Sequence, residues 1–241
     1  MKLTAVIISK SEKINQLVLD SIKFADETII VVDSPIKSHK KTDKINIYYR
    51  PLENDFASQR NFALKKAHGD WIIFVDDDEY VGTELQREIK QEISQTKYSG
   101  LLLNRIDVCF HQRLLHGETG NTKLLRLAKR NSGKFERPVH ETWKVNGRVG
   151  ELHSPLYHIK DGFISSFISR MIQYSDIDAP ILTKENKPFS YLRLFLNPKG
   201  KFILNYFLKL GFLDGTVGLF SAYLMSVQSL TVRIFQWTKR N

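Results

Sequence analysis

The chain has 241 residues, 42% hydrophobic and 26% charged, a balance that excludes a disordered or fibrous protein and leaves enough apolar material for a substantial core. A formal net charge of +10 favours a polyanionic partner without choosing among nucleic acid, anionic lipid and phosphorylated substrate. The single cysteine, Cys109, excludes an internal disulfide and suits a reducing cytoplasmic compartment.

Residues 3–8 form an apolar run that reads as a buried strand. The run is too short for a signal peptide and is followed by Lys10, Glu12 and Lys13. Ser11 is expected to cap a helix in which Ile14, Leu17, Val18 and Ile22 recur at helical spacing. Residues 28–32 are a second apolar strand, ended by Asp33, and a basic loop with Pro35 leads to a third strand at 45–49. Residues 56–68 are predicted helical, with Gly69 as the stop. A fourth strand, 71–75, runs directly into the acidic tetrad Asp76, Asp77, Asp78 and Glu79. Thr83 opens a further helix with Gln86 completing a capping box, and Leu85, Ile89 and Ile93 on its inner face.

This β-α-β-β-α-β-α order, with uninterrupted apolar strands, predicts an α/β fold whose largely parallel sheet is covered on both faces. Ligands of such sheets bind beyond the carboxyl ends of the strands. Asp33 and the tetrad both fall at such ends, so two distant stretches of sequence converge on one rim.

From Gly100 the pattern changes. Residues 101–110, 123–127 and 154–159 read as strands, and Asn146-Gly147 signals a hairpin between 143–145 and 148–149. Residues 163–174 are predicted helical. Beyond Pro188 the chain is aromatic and basic, with Phe202, Ile203, Tyr206, Phe207 and Leu210 at helical spacing. Such a helix can lie on an anionic membrane surface or pack its apolar face on the rest of the protein. No run of 18 uncharged apolar residues occurs, so no transmembrane helix is expected; residues 215–230 come nearest.

The tetrad is the chemical feature. On extended backbone the carboxylates of Asp76 and Asp78 point the same way. Hard cations take such oxygens and complete their shell with waters and substrate phosphates. A solvated acidic turn is the alternative, but four carboxylates crowded at a sheet edge repel one another, and a cation relieves this. An EF-hand does not fit, because Tyr80 stands where Asp or Asn is needed and no glycine follows in place.

At several points the chain resembles family 2 glycosyltransferases. The stretches are LTAVIISKSE at 3–12, ADETIIVVDS at 25–34, QRNFAL at 59–64, AHGDWI at 67–72 and VDDDE at 75–79, the last standing where that family carries its DxD motif. Two further elements, Arg137-Pro138-Val139-His140-Glu141 and Gly211-Phe212-Leu213-Asp214-Gly215, are similar to the bacterial subgroup that builds lipopolysaccharide or lipooligosaccharide core. The match extends over nearly the whole chain.

The resemblance implies a GT-A fold and an inverting transfer of a hexose from a nucleotide sugar, a UDP-sugar by preference. The implied acceptor is a lipid-linked or phosphorylated glycan, met at an anionic membrane surface on the cytoplasmic side, with no nucleic acid partner. It assigns donor binding to Ser9, Asp33, Arg60, Asp76, Asp77 and Asp78, with Asp33 on the base or ribose. It assigns a divalent cation, Mg²⁺ or Mn²⁺, to Asp78 and Asp76; His158 either completes that site or is a structural histidine. Inversion needs a base for the acceptor hydroxyl, for which Glu141 is the candidate and Asp77 and Glu79 the competitors. Glu141 could instead form an ion pair with Arg137, and Arg60 could pair with an acid such as Asp55 rather than with phosphate. Arg126 is a further phosphate candidate. Asp77 departs from the subgroup, which prefers a small residue there.

Three stretches are implied: a nucleotide-sugar half at 1–100, an acceptor-side half at 101–185 and a helical amphipathic extension at 186–241. Two other function classes fit the sequence less well. A sugar-phosphate nucleotidyltransferase would need a glycine-rich loop after the first strand, where this chain has Ser9-Lys10-Ser11-Glu12-Lys13. A basic nucleic-acid binder would not explain acids clustered at a strand end.

Overall fold

Alternation along the first strands decides the architecture. In β1 (Leu3–Ser9), Leu3, Ala5 and Ile7 face one core while Val6 faces the other. In β5 (Trp71–Asp76), Trp71, Ile73 and Val75 face the first core, and Ile72 and Phe74 the second. Strands apolar on both faces must be covered on both faces. Between them in sequence lie β2 (Glu27–Val32), the two-residue β3 (Lys40–Lys41) and β4 (Ile45–Tyr49). Strands β4, β2, β1 and β5 pair in parallel, in that order. The structure is a computed structural model and describes residues 1–35, 37–42, 44–118, 122–138, 141–160 and 162–239.

The described chain forms two compact units. The first comprises Met1–Arg105 and Thr122–His158. Its sheet continues past β5 through β6 (Glu79–Val81), β7 (Gly100–Cys109), β9 (Thr122–Lys129) and β12 (Val149–Ile159) in the order β5-β9-β7-β12-β6. Helix α1 (Gln16–Ser21) and α3 (Thr83–Gln95) cover one face through Val18, Leu85, Ile89 and Ile93. Helix α2 (Phe56–Lys66) covers the other through Ala57, Ala63 and Leu64, beside a separate ribbon of β10 (Gly133–Glu136) and β11 (Thr142–Val145) that contributes Phe135 and Trp143. The fold is the expected α/β class, with a parallel centre and a mixed second half.

Four local expectations are corrected. Asn15, not Ser11, caps α1, its Oδ1 accepting from the Leu17 amide at 2.9 Å. Gly82 holds the cap position of α3, so no capping box forms, and Gln86 donates instead to the carbonyls of Val81 and Ser21. The Asn146-Gly147 turn joins β11 to β12 without pairing them. β11 pairs with β10, where a Cβ on Gly133 would lie 1.8 Å from the Lys144 carbonyl oxygen, so only glycine admits that approach. Finally, Gly211–Thr238 is a helical run of 28 residues, long and apolar enough to cross a membrane by length and composition, where none was expected.

The second unit comprises Ile106–Asn121 and Ile159–Asn241. Here β8 (Gln112–Leu114) pairs antiparallel with the end of β7. Helices α4 (Phe163–Lys184), α5 (Tyr191–Ile203) and α6 (Gly215–Thr238) follow, with a π-helical turn at Leu204–Leu208 and a 3₁₀ turn at Gly211–Asp214. Helix α6 packs on α4 and α5. Its small core joins Cys109, Leu114, Phe163 and Val217. Burial there pushes the Cys109 thiol up to about 12, so it is an inert apolar filler.

The Gly211-to-Gly215 element is a clamp. Asp214 is buried; its carboxylate accepts from the amides of Leu115 and His116 at 3.1 and 2.9 Å and sits 2.8 Å from His116 Nδ1. Asn205 and Lys201 bind Glu118 beside it. A Cβ on Gly218 would fall 2.0 Å from the Gly211 carbonyl oxygen, so glycine lets the turn close onto α6.

Candidate functional site

The parallel register brings Ser9, Val32 and Asp76 to one rim: Ser9 is level with Val32, and Ile8 with Asp76. The Asp33 amide donates to the Ser9 carbonyl at 2.8 Å, and Asp33 Oδ1 accepts from the Leu52 amide at 2.9 Å. Ser9 Oγ donates to Asp77 at 2.6 Å. Four of the expected donor residues, Ser9, Asp33, Asp76 and Asp77, therefore share this edge, and Ser9 holds Asp77.

The four acids of the tetrad have four different surroundings. Asp76 ends β5 and meets two arginines: Arg60 Nη2 donates to Oδ1 at 2.9 Å and Arg126 Nη2 to Oδ2 at 2.5 Å. Burial alone would raise its carboxyl, but Arg126 and Arg60 outweigh it and hold the group well below the usual carboxylate range. Glu79 is not a turn residue at all. It opens β6, is fully buried, accepts from the Asp76 amide at 3.0 Å and lies 3.4 Å from Arg105 Nη1. Burial and neighbouring Asp76 push its carboxyl up, against the pull of Arg126 and Arg105. Arg126 is in turn held above its ordinary value, its burial outweighed by Asp76 and Glu79.

Asp78 is the exposed member, with half of its side-chain surface open to solvent, and its Oδ2 lies 3.0 Å from His158 Nε2. His158 is on β12, level with Glu79 of β6. Among the described residues no three carboxylate, histidine or cysteine groups form a cage. One carboxylate and one imidazole nevertheless fit an ion that keeps waters and substrate phosphates in its shell. Asp76, expected beside them, has both oxygens engaged by arginines.

Arg60 joins this rim to the second half of the chain. It is buried on α2, and its Nε donates to Glu141 Oε1 at 2.8 Å. Its guanidinium lies over the Phe74 and Phe135 rings at 5.2 and 5.6 Å from their centroids. Nη1 is buried and, among the described residues, has no hydrogen-bond partner. Arg60 does pair with acids, as the alternative reading allows, but with Asp76 and Glu141 rather than Asp55, which caps α2 by accepting from the Ser58 amide at 2.8 Å. Glu141 is in an ion pair with Arg60 rather than with Arg137. Val139 and His140 of the basic element lie outside the described residues.

Sequence reasoning missed Arg105 and undervalued Arg126. The signal was present: Arg105 is the one cation of β7, and Arg126 sits among leucines in Leu124-Leu125-Arg126-Leu127. A charge on an apolar strand needs a buried partner.

A family model described as glycosyl transferase family 2 matches residues 10–150. Among curated relatives, an uncharacterized glycosyltransferase of Rickettsia typhi is 23% identical, over 92% of this chain and 85% of its own length. The lipopolysaccharide core biosynthesis glycosyltransferase LpsC of Rhizobium meliloti is also 23% identical, over 92% of this chain and 84% of its own. Among solved structures, S. aureus TarS 1-349 in complex with UDP-GlcNAc is similar with a TM-score of 0.45 and 21% identity, over 66% of this chain and 59% of that one.

Proposed function

The chain belongs to glycosyl transferase family 2, and from that premise we propose that it moves a hexose from a UDP-sugar to a glycan acceptor with inversion at the anomeric carbon. The observation that carries this is the Arg60 bridge, which holds a carboxylate from the second half of the chain, Glu141, beside the acidic rim.

The residues take distinct roles in this reading. Ser9, Asp33 and Asp77 form the nucleoside side of the donor site. The unpartnered Nη1 of Arg60 and the Arg126 guanidinium supply positive charge near the diphosphate. Asp78 and His158 would hold Mg²⁺ or Mn²⁺, and such an ion would offset negative charge on the departing diphosphate. Glu141 accepts the proton of the acceptor hydroxyl as its oxygen bonds to the anomeric carbon. The bond from that carbon to the diphosphate oxygen breaks, and UDP leaves with the electron pair.

The acceptor in this reading is a lipid-linked or phosphorylated glycan of the lipopolysaccharide core type, as the name of the Rhizobium relative suggests. The enzyme meets it on the cytoplasmic side of an anionic membrane, which suits the net charge of +10.

A panel of nucleotide sugars, incubated with the chain and a crude core-lipid acceptor with and without Mn²⁺, tests the reading. UDP release and labelled lipid that depend on one donor are expected. A nucleoside triphosphate consumed with sugar phosphate would point instead to a nucleotidyltransferase. Tight RNA binding without any nucleotide effect would sink both.

A further inference from the structure

Helix α5 turns an apolar side to water. None of its thirteen residues is buried. Its half-buried side carries Leu194 and Phe202 along with Arg193, Asn197, Pro198 and Lys201; Ser226 Oγ donates to the Pro198 carbonyl at 2.8 Å, and Lys201 Nζ lies 2.7 Å from Glu118. Its outward side carries Tyr191, Leu192, Phe195 and Leu196, exposed by 66%, 67%, 63% and 54%. These positions, with Ile203 and Lys199, fall within one stripe at helical spacing. The stripe continues through Phe207 and Leu208 of the π-helical turn.

The turn divides the apolar series expected from sequence. Phe202 and Tyr206 stack at 5.4 Å and Phe202 meets Tyr223 at 4.7 Å, so these rings belong to the protein's own packing. Ile203 and Leu208 are exposed beside it, and Phe207 meets Tyr206 edge-on at 5.0 Å while leaving 53% of its surface open. Exposed apolar surface on this scale marks a contact surface.

Charge selects the partner. Beyond Asn186 the chain has eight lysines and arginines and a single acid, Asp214, which is buried against His116. Lys199 sits within the stripe and Lys209 at its end, both exposed, Lys209 with its Nζ 3.9 Å from Glu118. An apolar stripe bearing cations complements the acyl boundary and headgroups of an anionic bilayer.

We propose that α5 and its π-helical turn lie in the plane of an anionic membrane surface, with Leu192, Phe195, Leu196 and Phe207 below the headgroups and Lys199 and Lys209 among their phosphates. This deepens the membrane part of the proposed function, and the surface stands on α5 whether or not the acceptor is a lipid.

The test is flotation of the full chain with vesicles of phosphatidylglycerol and phosphatidylethanolamine, against vesicles of phosphatidylcholine. Recovery at least about tenfold higher on the anionic vesicles is expected. Leu192→Glu combined with Phe195→Glu, and separately Lys199→Glu, should each lower it, the double variant by about tenfold or more. A Phe195→Trp chain should shift its emission to the blue on addition of anionic vesicles. The proposal is overturned if the double variant floats like the parent, if neutral vesicles recover the chain equally, or if the Trp emission stays unmoved. Concentration-dependent dimerisation lost in the double variant, without flotation, would assign the stripe to a second copy and overturn it too. UDP binding in the same preparations separates this outcome from failure of the glycosyltransferase reading.

Discussion

Arg60 and Glu141 stand 81 positions apart in sequence and 2.8 Å apart in space, Nε to Oε1. The same guanidinium binds Asp76 at 2.9 Å. A side chain on α2 thus sets the distance between a carboxylate at the sheet rim and one that precedes β11.

Glu141→Gln keeps the shape of the side chain and removes its basicity. Transfer should fall by about 10³-fold, within the range for loss of a general base. UDP binding in the presence of Mn²⁺, followed by calorimetry, should stay within a factor of about three of the parent. Near-normal transfer would remove Glu141 from the base role.

Arg60→Ala strips a buried partner from two carboxylates. Asp76 keeps Arg126 and Glu141 is partly exposed, so the loss of stability should be about 2–3 kcal/mol, read from urea unfolding. Arg60→Lys restores the charge without the fork and should recover only part of it. Full recovery by lysine would show that charge alone matters at this position.

Asp76→Asn should show its pH signature below neutrality. The folded-state carboxyl is held down by Arg126 and Arg60, so its stabilisation is complete above the unfolded-chain value of about 3.9. It is lost as pH falls through that value toward the folded-state one. The stability gap between parent and variant should be widest at neutral pH and narrow near pH 3. A gap of constant size would contradict the pairing.

His158→Ala leaves Asp78 as the sole member of that pair. The concentration of Mn²⁺ needed for half-maximal UDP binding should rise by about 10- to 100-fold, the range seen when support around a metal is removed. Chelation with EDTA should weaken UDP binding by the parent and have little effect on the variant. Donor binding indifferent to Mn²⁺ in the parent would exclude the ion from donor recognition.

Asp214→Ala leaves the amides of Leu115 and His116 and the His116 ring without their acceptor. A loss of about 3 kcal/mol is expected for buried donors left unmet, measured by thermal unfolding.

The parallel centre was legible because its strands are continuous apolar runs bounded by Asp33 and the tetrad, and local pattern suffices for such strands. Glu79 was not legible. Its burial depends on Arg105 and Arg126, which arrive from strands that lie 26 and 47 positions further on. In the sequence it is simply the fourth acid of a polar run. The pairing of Arg60 with Glu141 was hidden for the same reason, since Asp55 and Arg137 were the nearer partners along the chain. The Asn146-Gly147 signal was local and correct as a turn. It named the wrong strands because Gly133 gives β11 another partner.

The second unit is assembled from two stretches far apart in sequence. Cys109 and Leu114, from the middle of the chain, pack against Phe163 and Val217, and Asp214 fastens the segment after Leu114. Trimming the chain before Tyr191, a natural step for anyone seeking a smaller protein, would therefore remove Val217 from the middle segment's hydrophobic cover and Asp214, its anchor. The apolar stripe of α5 is better removed by surface substitution than by deletion.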